Sequence, residues 1–451
     1  MESFKDKKVL IIGLARSGIA SFEKLILLGA KVSVQDMKEE YGIDGELLKK
    51  LKDNCDKLFL GKAPDEEDIF DYVVISPGVD PELPFILNEV RKGAKLIGEL
   101  ELSYRLSNAH FVGITGTNGK TTTTSMVGQI YKKEHLNSFI VGNIGIPVLN
   151  FVRENDEDDY LITEVSSFQL QTTDCFKPHI AAILNVTPDH LNRHHTLENY
   201  ALTKAKISKE QKKDDYLILN YDDKLCYSLK EYSKATIVPF SRKEELEFGA
   251  YVLDDCLVLN NGKEVIRFVN KDELNIIGEH NVENALAAIA ISYFGGISKD
   301  AIITTLKEFK AVEHRMEFVR EINGVKYYND SKGTNVDATK IAIKAIDKNV
   351  LLIAGGDAKS QSFTDLVKEF PGHVKHVMLF GRDKEMISSE CDKIGYKDYS
   401  FHKTLEECIM YGKEIAESGD TILLSPACAS WDMYKNFEIR GQEFKDIVNN
   451  I

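Results

Sequence analysis

The chain has 451 residues, 43% hydrophobic and 28% charged, with 57 basic and 71 acidic residues and a formal net charge of −14. That size and mixture suit a globular protein of roughly three domains at about 150 residues each, and the acidic balance excludes a broad nucleic-acid surface or an anionic membrane surface while leaving room for a local basic pocket. The cysteines are odd in number and scattered, which reads as reduced thiols in a cytosol; no signal-peptide core and no membrane-length apolar run is expected.

The first stretch alternates strand and helix. Val9–Ile12 is a buried strand, and an apolar-periodic helix follows to about Leu28, where Gly29 ends it. Lys31–Asp36 is a second strand ending in an acid, and Tyr72–Gly78 a later one with a Pro-Gly stop. This pattern builds a doubly wound, parallel sheet. Gly13-Leu-Ala15-Arg-Ser-Gly18 resembles the dinucleotide fingerprint, but Ala15 replaces the glycine that lets backbone approach a pyrophosphate. A diphosphate of another nucleotide at the helix N-terminus is therefore favoured over a nicotinamide. A purely structural turn is the plain alternative.

The second unit opens near residue 110 on a strand, Phe111-Val112, followed by Gly113-Ile-Thr-Gly116-Thr-Asn-Gly119-Lys120-Thr121 and a helix from Thr122. Strand, glycine loop and helix aim backbone N–H groups and a helix N-terminus at phosphate. Lys120 would reach the outer phosphates and Thr121 a magnesium ion. The strict P-loop has glycine where Ile114 stands, and a glycine-rich turn beside a stray lysine is the bland rival. Asp159–Glu164, Ile180–Asn185 and Tyr216–Asn220 are further strands, with short β-like runs over 240–275 and an alanine-rich helix after Gly278. Glu164 is either a magnesium carboxylate at a strand end or a surface acid. Asn185–His195 is dense in ligating groups. Zinc at His190 and His194 lacks cysteines or a second regular pair, whereas a magnesium or phosphate contact at His190 suits a triphosphate site. Lys204, with Lys206, Lys209, Lys212 and Lys213, reads on composition as the solvated face of a basic helix.

The third unit begins near residue 312. Asn349–Gly356, His376–Gly381 and Thr421–Ser425 each end as parallel strands do at a ligand crevice. His314-Arg315 and Asn329-Asp330-Ser-Lys332-Gly-Thr334 flank a β-like run at Val325–Tyr328 and suggest anion clamping beside a carboxylate, a tight turn with exposed charges being the rival. Ser425–Phe437 reads as the opening of a capped helix holding the single Trp431.

Taken together, Gly-Thr-Asn-Gly-Lys-Thr, His314-Arg315, Asn329-Asp-Ser-Lys332, Gly142-Asn-Ile-Gly145 and Ser425-Pro-Ala-Cys-Ala-Ser-Trp-Asp resemble the motifs of the Mur ligases, ATP-dependent amino-acid ligases of peptidoglycan precursor synthesis. The resemblance implies three α/β domains: an N-terminal Rossmann-like domain (1–106) for a UDP-linked substrate, a central P-loop ATPase-like domain with a mainly parallel sheet (107–311), and a C-terminal Rossmann-like domain (312–451) for an amino acid. It implies a cytoplasmic, monomeric enzyme that adds D-glutamate to UDP-N-acetylmuramoyl-L-alanine through an acyl phosphate, with ATP and two magnesium ions and neither a nucleic-acid partner nor a membrane span.

Residue by residue, it implies that Gly116, Thr117, Asn118, Gly119, Lys120, Thr121 and Thr122 cradle ATP, with Asn281, Asn284, Arg315 and Asp330 on the nucleotide side. Thr121 and Glu164 hold one magnesium; His190 and an N-carboxylated Lys204 hold the other. Lys204 is chosen because Tyr200, Lys204 and Ile207 match the family spacing, which reverses its compositional reading. Ser17, Asp36, Met37, Gly78 and Asn143 match the UDP-substrate pocket, and Lys332, Thr334, Lys359, Ser430 and Phe437 the D-glutamate site. A phosphotransferase or nucleotide switch, and a nicotinamide oxidoreductase, are the rivals from other classes; amino-acid-dependent ADP release and NADH titration separate them.

Overall fold

A computed structural model describes residues 2–143, 146–310, 312–346, 348–359 and 361–451. Ile144 and Gly145 of the Gly142–Gly145 motif, and Ala311 at an expected domain boundary, lie outside the described residues. Among the described residues the strands make three mainly parallel sheets, as an α/β chain of this pattern requires.

The first sheet holds β1 (Lys8–Ile12), β2 (Lys31–Asp36), β3 (Lys57–Leu60), β4 (Tyr72–Ile75) and β5 (Lys95–Gly98). They lie parallel in the order β3-β2-β1-β4-β5. Val9 and Ile11 of β1 pack with Phe22 and Leu25 of the helix Arg16–Leu27, whereas Leu10 and Ile12 pack with Phe70 and Ile86. A strand buried on both faces reads as an unbroken apolar run.

The second sheet holds β6 (His110–Thr115), β7 (Asn137–Gly142), β8 (Asp159–Glu164), β9 (Ile180–Ile183), β10 (Tyr216–Asn220), β11 (Thr236–Ser241), β12 (Gly249–Leu253), β13 (Cys256–Asn260) and β14 (Val265–Asn270). Its order is β14-β13-β12-β11-β10-β9-β6-β8-β7, parallel except for the β12-β13-β14 meander. Gly113 belongs to this sheet and not to the loop after it. Its register partners are Thr163 and Ala181, and a Cβ there would come within 3.1 Å of Ile207 Cδ1.

The third sheet holds β15 (Glu317–Ile322), β16 (Val325–Asn329), β17 (Val350–Gly355), β18 (Val374–Phe380), β19 (Tyr399–Phe401) and β20 (Thr421–Leu424), in the order β15-β16-β20-β17-β18-β19. Only β15 runs antiparallel to its neighbour. It was not expected, although Asn323 (φ 53°) and Gly324 (φ 79°) supply the Asn-Gly turn that marks a two-residue hairpin.

By internal contacts the chain divides into two compact units, Met1–Asn270 with Asn284–Leu306, and Lys271–Glu283 with Lys307–Ile451. In the first unit, strand order reverses beside β1 and beside β6, and ligands bind beyond the carboxyl ends of strands at such points. The two glycine loops sit there, after β1 and after β6.

Two expectations fail. The lysine-rich stretch is not one solvated helix: the helix Leu197–Ala205 gives way to a 3-10 turn at Lys206–Ser208, and Lys204 is 1% exposed. Nor does a helix open at Ser425. Residues 426–429 spend their backbone groups on other loops, with Pro426 O accepting from Gly355, Ala427 N donating to Gly333 and Ala429 paired with Asp357. The helix Phe437–Asn450 starts only where the Asn436 side chain caps it, and Trp431 stands outside it, exposed.

Candidate active site

The first glycine loop is shaped by what a side chain would hit. A Cβ on Gly18 would fall 1.8 Å from Gly13 O, so only glycine lets the helix Arg16–Leu27 close onto the loop. Asp36 braces that loop: its carboxylate accepts from Leu14 N at 2.7 Å and Lys38 N at 2.8 Å. Ser17 and Asn143 meet across a cavity of about 140 Å³ lined also by Arg16, Pro77, Gly142, Pro147 and Gln169. Gly78 is exposed, with open space where a Cβ would stand, and Met37 is exposed at the end of β2.

The second glycine loop is clamped from the segment after β9. Asn185 takes the Asn118 N–H on Oδ1 (2.8 Å) and returns Nδ2 to Asn118 O (3.1 Å), and Thr117 N donates to Asn185 O. The Thr117 hydroxyl donates to Thr187 O and accepts from Thr187 N. Gly119 sits at φ 82°, and a Cβ would meet Asn284 Oδ1 at 2.3 Å, so loop conformation and the Asn284 contact both demand glycine. Thr121 and Thr122 are buried in the first turn of the helix Lys120–Lys133. Lys120 Nζ donates to Gly116 O and Thr117 O, both at 2.8 Å.

Lys204 reaches the same place from the opposite side. Its Nζ donates to Gly116 O at 2.9 Å and lies 4.3 Å from the Tyr200 ring centroid. Burial, and after it the charge of Lys120, hold its pKa well below the usual lysine value, although Asp189 pulls the other way. Two amines thus converge on one carbonyl, and burial disfavours the charged form of the second.

Glu164 is 1% exposed, which removes its reading as a surface acid. Oε1 accepts from Asn143 Nδ2 at 2.7 Å, and Oε2 is buried without a hydrogen-bond partner among the described residues. A buried carboxylate oxygen left so calls for a cation, and magnesium, a hard ion that takes oxygen ligands, fits. β8 lies next to β6 with Glu164 opposite Ile114, so this oxygen belongs to the strand end beside the glycine loop.

His190 is half-exposed at φ 53°, with Nε2 3.6 Å from Asp189 Oδ2. Its ring and that of His194 pack on Phe168 at 4.8 and 5.7 Å. His194 is buried, shares a hydrogen bond with Ser167 Oγ at 3.0 Å, and has its pKa brought down to about 4, by burial first and then by His190 and Lys204. Among the described residues, no third His, Cys, Asp or Glu joins the two histidines at metal-ligand spacing. Arg193, which has no role in the motif reading, sits over Phe168 and donates to Val79 O at 2.6 Å and Gln171 Oε1 at 3.1 Å. It ties the histidine segment to the rim beyond β4.

In the second unit the motif residues gather at the carboxyl ends of β16, β17 and β20. Asp330 accepts from Ser425 Oγ at 2.7 Å and Met316 N at 3.2 Å; burial raises its pKa to about 6 against those bonds and the Arg315 charge. Asn281 is buried, with Nδ2 donating to Ile277 O. Lys332 N donates to His314 O, and its ammonium lies 5.2 Å from the Phe437 ring centroid. Thr334 follows in the same turn, Ser430 is buried, and Lys359 lies over Trp431.

Arg440, also missed, holds this region together. It is 1% exposed and donates to Ser331 Oγ, Ser331 O and Cys428 O at 3.0, 2.8 and 3.2 Å. Burial lowers its pKa to about 10. The signal was present: Arg440 shares the buried seam of its helix with Gly441, Phe444 and Val448. Arg440→Ala is expected to cost about 3 kcal/mol in urea unfolding, because it empties a large buried volume and orphans three acceptors.

A family model described as Mur ligase middle domain matches residues 114–292, and one described as Mur ligase, glutamate ligase domain matches residues 314–428. The UDP-N-acetylmuramoylalanine–D-glutamate ligase of Clostridioides difficile (strain 630) is 46% identical over 449 residues, covering 99% of each chain. The protein of that name from Thermoanaerobacter sp. (strain X514) is 47% identical over 448 residues, covering 98% of each. Among solved structures, UDP-N-acetylmuramate-alanine ligase from Thermotoga maritima is similar in fold, with a TM-score of 0.60 at 18% identity over 98% of this chain and 99% of that one. A pseudomurein peptide ligase type C from Methanothermus fervidus gives 0.58 at 21% identity, with 98% and 99% covered.

Proposed function

The chain belongs to the Mur ligase family, and from that premise we infer that it is an ATP-dependent ligase joining D-glutamate to UDP-N-acetylmuramoyl-L-alanine, the reaction its full-length relatives are named for. The observation that carries the chemistry is the convergence of Lys120 and Lys204 on Gly116 O, with the unpartnered Glu164 oxygen at the adjoining strand end.

An amide does not form from a carboxylate and an ammonium in water without activation. The L-alanyl carboxylate attacks the γ-phosphorus of ATP, giving an acyl phosphate and ADP. The amine of D-glutamate, having lost a proton, attacks the acyl carbon; the C–N bond forms and phosphate leaves. No enzyme nucleophile is required. The protein aligns the carboxylate with phosphorus and offsets charge on the transferring group.

Residues 116–122 take the phosphates, with Lys120 turning its donors from the Gly116 and Thr117 carbonyls to the outer ones; Asn281, Asn284, Arg315 and Asp330 serve the nucleotide. We assign one magnesium to Thr121 and Glu164 and a second to His190 and an N-carboxylated Lys204. Bound magnesium supplies charge neutralisation at the phosphoryl group. The lowered pKa of the Lys204 amine favours the carbamate, since only a free amine adds CO₂, releasing a proton and leaving an anionic oxygen ligand.

Ser17, Asp36, Met37, Gly78 and Asn143 receive the UDP-linked substrate, supported by the cavity that Ser17 shares with Asn143. Lys332, Thr334, Lys359, Ser430 and Phe437 receive D-glutamate. In this scheme residues 1–106, 107–311 and 312–451 divide UDP-substrate, ATP and amino acid among them. The enzyme works as a monomer in the cytoplasm, with which its free cysteines agree.

The deciding measurement is ADP release with UDP-N-acetylmuramoyl-L-alanine against a panel of L- and D-amino acids. Release should require D-glutamate. Equal release without any amino acid would indicate a phosphotransferase or hydrolase instead.

A further inference from the structure

Trp431 is the only tryptophan of the chain and is 65% exposed. Its ring carries the ammonium of Lys359, with Nζ 4.5 Å from the centroid. Both partners are placed by backbone. Asp357 and Ala429 exchange two N–H···O bonds of 2.9 Å, which holds the segments leading to Lys359 and Trp431 side by side. Lys359 then turns at φ 48°, its N–H donating to Asp357 Oδ1 at 3.0 Å, and Asp357 is itself paired with Arg382 Nη2 at 2.9 Å. On the other segment Ser430 O accepts from Met433 N and Tyr434 N, and Asp432 Oδ2 accepts from Arg382 N at 2.8 Å. Trp431 therefore stands on a fixed turn.

We propose that Trp431 is a positioning residue for the amino-acid substrate: its ring face parks the Lys359 ammonium where that ammonium meets a carboxylate of D-glutamate. The proposal rests on the assignment of Lys359 to D-glutamate. A lysine in solvent samples many rotamers, and confining it before the ligand arrives removes an ordering cost from binding. The partner type matters as much as the confinement. An acidic partner would hold the ammonium equally well but compete with the incoming anion. A ring face attracts the cation through its quadrupole and leaves both the positive charge and the N–H donors for the ligand. The exposed ring gains cover when the amino acid docks, which makes Trp431 its own reporter.

The test uses the full-length enzyme with saturating ATP, magnesium and UDP-N-acetylmuramoyl-L-alanine while D-glutamate is varied. Trp431→Ala is expected to raise the KM for D-glutamate about tenfold, equivalent to about 1.4 kcal/mol, with kcat and the KM for ATP unchanged. Trp431→Phe should recover most of that loss. In the unaltered enzyme, the emission of its single tryptophan should change with D-glutamate and saturate with the same dependence as turnover. Two outcomes would overturn the proposal: an unchanged KM in Trp431→Ala when Lys359→Ala raises it, or a Trp431→Ala variant in which kcat and both KM values deteriorate together. A Lys359→Ala variant with an unchanged KM would instead remove the assignment beneath it.

Discussion

Lys120→Ala is expected to lower ADP formation by about 10³-fold while leaving the UDP-linked substrate bound with near-normal affinity. Lys120 opens the helix that follows the glycine loop, and its ammonium rests on two loop carbonyls, a short swing from any phosphate lying over the backbone N–H groups. In the proposed role, losing it removes a positive charge that offsets the negative charge accumulating during phosphoryl transfer. The cavity assigned to the UDP-substrate is lined by Arg16, Ser17, Pro77, Gly142, Asn143, Pro147 and Gln169, and Lys120 is not among them. Steady-state ADP release and calorimetric titration of the UDP-substrate separate the two effects. Near-normal turnover, or lost turnover that simply follows lost UDP-substrate binding, would refute the role given to Lys120.

The second large effect belongs to Lys204. Lys204→Ala is expected to lose about 10²- to 10³-fold in kcat and to recover part of it when formate or acetate is added. The side chain is fully buried beside the Lys120 ammonium, and burial holds its pKa well below the usual lysine value. Such an amine is poised for CO₂, and a small carboxylate can stand in for the resulting carbamate in the space that alanine leaves. Unaltered enzyme stripped in CO₂-free buffer should lose activity and regain it with bicarbonate. Failure of both rescues would show that Lys204 acts as an amine or a packing element, without a carbamate.

Strands were legible wherever one chemical rule dominated. Lys31–Asp36, Asp159–Glu164 and Tyr216–Asn220 have the bounds expected of them, since each carries β-branched or large apolar residues, is closed by a polar residue and is buried over its middle. Charge pattern was a poor guide at Lys204, because what buries it is remote in sequence: the Gly116 carbonyl and the fold that closes over the helix Leu197–Ala205. Only the Tyr200 spacing, four residues back on the same helix face, betrayed it. The stretch after Ser425 misled for a similar reason. Its small residues and Pro426 suit a helix start as well as they suit a strap, and the choice was made by Gly355, Gly333 and Asp357, which accept or return its backbone bonds. Arg440 went unnoticed because a charged residue in a helix is ordinarily taken for solvent-facing.

The groups assigned to the amino acid all lie on segments beyond the ends of β16, β17 and β20, while β17 and β20 themselves are buried throughout and made mostly of Leu, Ile and Val. On that assignment, the choice of amine is made outside the strands. Within 330–334, 356–359 and 430–437, a different acceptor amine would be met by changes at Lys332, Thr334, Lys359 and Trp431, whereas buried Asp330, Ser331 and Ser430, Gly333, Gly356 and the arginine that fastens Ser331 to Cys428 stay as they are.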